Sequence, residues 1–220
     1  LGLPTTVALA ATVPIVQACK ERYPLIRLQV IEAYSGYLRE WLQMGRLDLA
    51  LLFGDETDPD LLKRVLLEER LALITPPGTR KPNSNLRLKQ LSPMELVLPG
   101  KGHGLRRIID DACAQQNIDL NVVAEIDSLT SVKKAVAAGV GHTILSQSSV
   151  IEEVRQGQLQ ASTISDTSMK RRVVCATSIT RPTSQASQAV ISLTTDLIRG
   201  LVGSGEWPAQ WIGEIRSKRV

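Results

Sequence analysis

Aromatic residues supply only 3% of this 220-residue chain, and there is a single Phe. The 43% hydrophobic content must therefore build its cores mainly from Leu, Ile, Val and Ala packed between layers of secondary structure. Histidine is scarcer still, with His103 and His142 alone. Neither has a Cys, Asp or Glu partner in a recognisable ligand motif, so no metal is expected. Neither has a Ser or Cys partner evident in the sequence, and no Ser occupies a G-x-S-x-G elbow. The three cysteines, Cys19, Cys113 and Cys175, are odd in number and far apart. That fits free buried thiols in a reducing cytoplasm better than a disulfide framework or a zinc site. No apolar run reaches the roughly 18 residues that span a membrane, and no basic segment followed by a cleavable apolar stretch opens the chain. No membrane partner is expected. Leu1 in place of Met points to a processed or shortened chain whose other part carries a further function.

Charge is equally undramatic. The net value of +4 comes from 26 basic and 22 acidic residues, and the basic groups are spread out as the pairs Arg106-Arg107, Lys133-Lys134 and Arg171-Arg172. Such pairs read as solvated faces. Without a dense basic stripe and interleaved aromatics, this segment is not expected to bind nucleic acid by itself. The acidic pairs Glu68-Glu69, Asp110-Asp111 and Glu152-Glu153 fall on strand or helix surfaces, where solvation explains them better than paired-carboxylate catalysis. Gly100-x-Gly102-x-Gly104 has neither the Rossmann nor the Walker spacing, so no nucleotide cofactor is read from it. No catalytic residue and no cofactor emerge.

What is present is a repetition. Glu32-Ala33-Tyr34-Ser35 leads into a helical pattern that stops at Gly45 and is followed by a strand over 47–53. Glu125-Ile126-Asp127-Ser128 leads into one that stops at Gly139 and is followed by a strand over 143–145. In each copy a Ser stands where a helix N-cap belongs and a Gly just past the other end. With a length that allows two domains of about 100 residues, the echo favours two similar lobes.

Along the chain, a short apolar piece precedes Thr5-Thr6, and small apolar residues then run as a helix to Arg22, closed by Tyr23-Pro24. Pro14 either kinks that helix or opens a second one. Alternation over 25–33 reads as a strand with one wetter face, Leu38, Trp41 and Leu42 as helix, and 49–53 as a strand covered on both faces. The first lobe is thus β-α-β-α-β. Residues 61–74 read as a strand before the turn Thr75-Pro76-Pro77-Gly78. Beyond it come a strand at 96–98, a glycine-rich loop, an amphipathic helix over 105–116, a strand at 122–126 and a helix to Ala138. A strand at 173–178 and a helix over 187–201 complete the pattern. The tail after Gly203, with Trp207, Trp211 and a basic end, shows no clear periodicity.

Four polar or glycine-rich segments therefore lie where a strand meets a helix start: Thr5-Thr6, Ser35-Gly36, Gly100 to Gly104, and Ser128 to Ser131. Ligands of open parallel sheets bind beyond the carboxyl ends of the strands, and helix starts present unpaired N–H groups and partial positive charge. The inferred ligand is small and anionic, and His103 either donates a hydrogen bond to it or is simply solvated in its loop. For each hydroxyl taken alone, an ordinary cap remains the alternative.

These residues also resemble a known family. Arg22-Tyr23-Pro24, the stretch Glu32 to Phe53 with its L-x-x-G-x-L-D-L-A-L core at Leu42 to Leu51, Leu96 to Arg107, Glu125 to Ser128 and Val136 to Leu145 are together similar to the effector-binding domain of LysR-type transcriptional regulators, up to about Leu201. The wording around His103 to Arg107 and Gly141 to Leu145 is most like the nitrogen assimilation control branch. The resemblance implies an α/β fold of the periplasmic-binding-protein type II kind, two Rossmann-like lobes with a hinge of two crossing strands. Lobe I would take 1–74 plus 179–203, lobe II 75–178, and 204–220 would be a C-terminal tail. It further implies an effector held between the lobes by positions matching Thr5, Thr6 and Ser35 on one side and Pro99, His103, Ser128, Leu129 and Thr130 on the other. Partners would be that small anion and further copies of the chain, as homodimer or homotetramer through the helix from Thr6 and the helix 105–116. DNA would be read only through an absent N-terminal winged helix-turn-helix, in the cytoplasm. A free-standing solute-binding protein for a small anion and a two-lobe enzyme are the competing readings.

Overall fold

In a computed structural model of the protein, residues 1–79 and 86–213 are described. The strands are β1 (Gly2–Leu3), β2 (Ile31–Glu32), β3 (Ala50–Phe53), β4 (Leu61–Thr75), β5 (Glu95–Leu98), β6 (Asn121–Glu125), β7 (Thr143–Ser146), β8 (Gln160–Thr163), β9 (Lys170–Ser178) and β10 (Gln210–Trp211). The helices are α1 (Thr5–Arg22), α2 (Ser35–Gln43), α3 (Gly104–Ala114), α4 (Leu129–Ala137), α5 (Ile151–Arg155) and α6 (Gln185–Gly203), with short 3₁₀ turns at Leu88–Leu91 and Gln147–Val150. The chain folds as two compact units, Leu1–Glu69 with the chain from Arg172 onward, and Arg70–Arg171. It passes between them inside β4 and inside β9, a few residues before positions 74 and 178, where the sequence expectation set the exchange.

The first unit carries the strand order β2-β1-β3-β9-β4-β10. β1 runs parallel to β2 and to β3, whereas β3 pairs antiparallel with β9 and β10 antiparallel with β4. Strand period two sends alternate residues to opposite faces. Leu49, Leu51, Val173 and Cys175 pack with α1 and α6, while Ala50, Leu52, Val174 and Ala176 pack with Leu38 and Leu42 of α2. Helices thus cover both faces, as the unbroken apolar run of β3 requires.

In the second unit, β5 and β6 pair in parallel, and the second half of β4 takes β7 and β8 on its two edges, both antiparallel. An isolated parallel bridge, Leu96 with His142, carries β5 alongside the start of β7. Close approach there excludes a side chain at Gly141, since a Cβ would stand 2.8 Å from the Glu95 carbonyl oxygen. Leu73, Leu96, Leu98, Ile109, Val136 and Ile144, all fully buried, form the core of this unit.

α1 is one helix with Pro14 inside it, so of the two readings of that proline the start of a second helix is set aside. Of the strand read over 25–33 only Ile31–Glu32 makes ladder bonds, although Ile26, Leu28 and Val30 do point to the core as their alternation requires. Before Ile31 the segment is held instead by the Leu1 amino group, which donates to the Gln29 carbonyl at 2.9 Å. The tail is structured as far as Gly213: Trp207 is buried and β10 joins β4. Two tryptophans four residues apart have no helical or strand run around them, so periodicity could not register this. The basic end of the tail lies outside the described residues.

Candidate functional site

The helix starts arise from the topology. β1 and β2 are adjacent and parallel in the register Gly2 with Ile31 and Leu3 with Glu32, so their carboxyl ends lie side by side. α1 begins two residues beyond β1 and α2 three beyond β2. Thr5, Thr6 and Ser35 therefore share one edge of the first unit. β5 and β6 do the same in the second unit, with Leu98 opposite Glu125, which brings Pro99 and His103 next to Ser128, Leu129 and Thr130. Each unit assembles its own group of the expected residues.

The two groups differ in how the helices are capped. Ser128 is the N-cap of α4 and its Oγ accepts the Ser131 N–H at 3.4 Å. His103 is the N-cap of α3, its Nδ1 accepting the Leu105 N–H at 3.1 Å. That bond fixes the neutral tautomer with the proton on Nε2. Burial holds the His103 imidazole below its ordinary pKa, with the charge of Arg171 adding to the effect and that of Asp127 opposing it. In the first unit Pro4 and Tyr34 occupy the N-cap positions of α1 and α2, and neither gives a side-chain cap. Ser35 is thus not the cap that its place in the repeat implied. It lies in the first turn, and its Oγ accepts the Phe53 N–H at 3.2 Å, closing the end of β3. None of the four helices has an acidic residue in its first turn, so no carboxylate there offsets the positive end of the dipole.

The glycine-rich turn after β5 is fixed from two sides. Asp127 Oδ1 accepts the Gly100 N–H at 2.9 Å, and the His103 N–H returns to the Gly100 carbonyl at 2.9 Å. Beneath it lies Arg106, read in sequence as a solvated base but only 6% exposed. Its Nη1 donates to the Pro99 carbonyl at 3.0 Å and to Glu125 Oε1 at 2.8 Å, and its Nε to Asp110 Oδ1 at 2.9 Å. Burial works against that charge, yet the bonds to Glu125 and Asp110 outweigh it and hold the guanidinium above its ordinary pKa. Helical spacing carried the signal, since Arg106 stands three and seven residues before the buried Ile109 and Cys113. In the other basic pairs Lys133 is engaged with Glu153, Arg171 with the buried Ser146 hydroxyl at 3.0 Å, and Arg172 with Asp55 and Glu68, while Lys134 is exposed as the sequence reading has it. Glu69, taken for a surface acid, is 1% exposed and accepts from the Trp207 indole.

A family model described as the LysR substrate binding domain matches residues 1–198. The chain belongs to that family. It is 35% identical over 196 residues to the HTH-type transcriptional regulator BbuR of Bordetella bronchiseptica, covering 85% of this chain and 58% of that protein. The nitrogen assimilation regulatory protein nac of Klebsiella aerogenes is 30% identical over 150 residues, 67% of this chain and 48% of that one. The chain thus spans about half the length of these curated relatives. Among solved structures, the Synechocystis CcmR regulatory domain in complex with 2-PG superposes with a TM-score of 0.80 at 22% identity, covering 89% of this chain and 94% of that one. The effector-binding domain of QuiR in complex with shikimate does so at 0.77 and 18% identity, covering 90% and 95%. The fold of this LysR-type effector-binding domain is accordingly the periplasmic-binding-protein type II-like arrangement implied by its sequence, and its relatives include the nitrogen assimilation branch.

Proposed function

We propose that this domain senses a small anionic effector and, as part of a longer LysR-type regulator, changes how an N-terminal winged helix-turn-helix binds DNA. One observation carries the reading: four helix starts stand at the carboxyl ends of parallel strands, and none has an acid in its first turn. Thr5, Thr6 and Ser35 in the first unit, and Pro99, His103, Ser128, Leu129 and Thr130 in the second, are the residues to which effector contacts are assigned. The CcmR and QuiR domains are described with 2-PG and shikimate, which supports a small acid as ligand here.

Calorimetric titration with 2-PG, shikimate, glutamate, sulfate and inorganic phosphate tests the proposal. At least one binds with micromolar to millimolar affinity, and Thr6→Ala and Ser128→Ala each weaken it about tenfold, the loss of one charge-assisted hydrogen bond. Unchanged affinity in both variants rejects the site.

The same reading makes the domain a non-enzymatic, cytoplasmic one that works as a homodimer or homotetramer. Its curated relatives are named as regulators, and no helix among the described residues is long and apolar enough to cross a membrane. Leu9, Val13 and Val16, spaced four and three apart on α1, are 58%, 64% and 43% exposed, an apolar stripe suited to a second copy. Sedimentation of Val13→Glu beside the wild type reads this out, as a shift toward monomer.

A further inference from the structure

The described part of the tail is fastened to the strand on which the chain leaves the first unit. β10 pairs antiparallel with β4, Gln210 opposite Glu68 and Trp211 opposite Leu67, and so covers what would otherwise be an open sheet edge. The N–H groups of Ile212 and Gly213 both reach the Leu66 carbonyl at 2.9 Å. Gly213 has to be glycine for that approach, since a Cβ there would lie 2.7 Å from the Trp211 ring. Arg199 of α6 places its guanidinium carbon 4.9 Å from the centre of the same ring. Before the strand, Trp207 is 1% exposed, and its Nε1 donates to Glu69 Oε2 at 3.0 Å. Glu69 is also 1% exposed and is the last residue of β4 assigned to the first unit. A buried carboxylate held by an indole N–H is costly to separate from its partner.

We propose that Ser204–Gly213 is a strap that stiffens β4 up to Glu69 and thereby limits how far the chain bends at the Glu69–Arg70 crossing. The segment lies beyond the family match at 1–198. Two kinds of bond make the strap. The main-chain pairing fixes the outer edge of β4, and the Trp207–Glu69 bond fixes the side chain at the first unit's end of the crossing, so a bend that spreads back from the crossing into Leu66–Glu69 requires one or the other to give way. The proposal does not depend on the nature of the effector.

Spin labels on Glu40→Cys of α2 and Lys134→Cys of α4, both exposed and one in each unit, report the spread of distances between the units in the full chain. The native Cys19, Cys113 and Cys175 are buried, and burial pushes the thiols of Cys113 and Cys175 up to about 11, which keeps them from competing for label. In this background Trp207→Phe keeps an aromatic side chain, smaller than the buried indole, and removes the donor, and Ile212→Pro removes one of the two bonds to Leu66 without touching the core. Both are expected to broaden the distance distribution or add a second population, the phenylalanine variant more. A distribution indistinguishable from wild type in either variant, with native circular dichroism, overturns the strap. If Trp207→Phe does not fold, Ile212→Pro decides alone. A segment that merely adds stability would lower Tm in both variants and leave the distances unchanged.

Discussion

Ser35 Oγ accepts the backbone N–H of Phe53 at 3.2 Å, so the hydroxyl that begins α2 also ends β3. Its counterpart in the repeat, Ser128, instead caps its own helix. Ser35→Ala leaves the Phe53 N–H without this acceptor and should destabilise the first unit by about 1 kcal/mol. Ser128→Ala should cost a similar amount, about 1 kcal/mol, as the loss of an N-cap. Urea unfolding monitored by Trp fluorescence separates the two, because Trp41, Trp207 and Trp211 all belong to the first unit. The Ser35 variant shifts the fluorescence midpoint, and the Ser128 variant shifts mainly the circular dichroism. Identical shifts by both probes in both variants would contradict this assignment.

That difference also shows what the sequence could and could not disclose. The glycines after α2 and α4, Gly45 and Gly139, adopt φ of 69° and 80°, as a helix C-terminus demands, and they were legible because few other residues take that conformation. β3 was legible because both of its faces are apolar. The role of Ser35 was not, because a serine before a helical run is an equally good cap or first-turn residue, and only the fold brings Phe53 to it. Arg106 and Glu69 were misread for a related reason. A charged residue near the core is recognisable in sequence only by its phase, and Glu69 does share the alternate face of β4 with Leu67 and Leu71. Its partner lies 138 residues away, in a segment with no periodicity of its own.

Arg106 supplies a second test. Arg106→Met removes the bonds to Pro99, Asp110 and Glu125 together and leaves the turn after β5 held from one side only. Glu125 and Asp110 are about half exposed, so water takes over part of what is lost and the cost is about 1–3 kcal/mol, below that of a fully buried pair. Arg106→Lys should recover less than half of it, because a single ammonium cannot serve three acceptors in the plane of a guanidinium. Chemical denaturation of the three proteins checks the order. Full recovery by lysine would show that charge alone matters.

His103 gives the domain a pH dependence whose sign is fixed. Its folded pKa lies below the ordinary 6.5, mainly through burial, so the unfolded chain binds the proton more readily. The stabilising contribution is present above pH 6.5 and is lost as pH falls through the folded value. Protonating Nδ1 also removes the acceptor for Leu105 at the start of α3. His142, held low by burial against the raising influence of Glu95, acts in the same direction. Tm should therefore fall between about pH 7.5 and about pH 5.5, the range in which histidine titrates. His103→Asn, which keeps a cap acceptor and does not titrate, should flatten that fall. An unchanged slope would show that the His103 proton is not linked to folding.

Pro14 lies in the middle of α1, where it has no N–H for the carbonyl of Ala10 and its ring presses on that same group. A helix of 18 residues tolerates this because Val7, Ala11, Ile15 and Ala18 anchor it on the core face on either side of the break. Pro14→Ala restores the hydrogen bond and relieves the clash, but it also frees the unfolded chain, which costs about 0.4–1 kcal/mol. The first effect is worth up to about 3 kcal/mol in a helix interior, so the balance favours the variant by about 1–2 kcal/mol, read as a higher Tm. The alternative is that the break lets α1 follow α6, with which it shares a core through Val190, Leu193 and Ile198. In that case straightening the helix strains the shared core, and Tm falls. The sign of a single melting experiment therefore decides whether Pro14 is a tolerated defect or part of how α1 fits its neighbour.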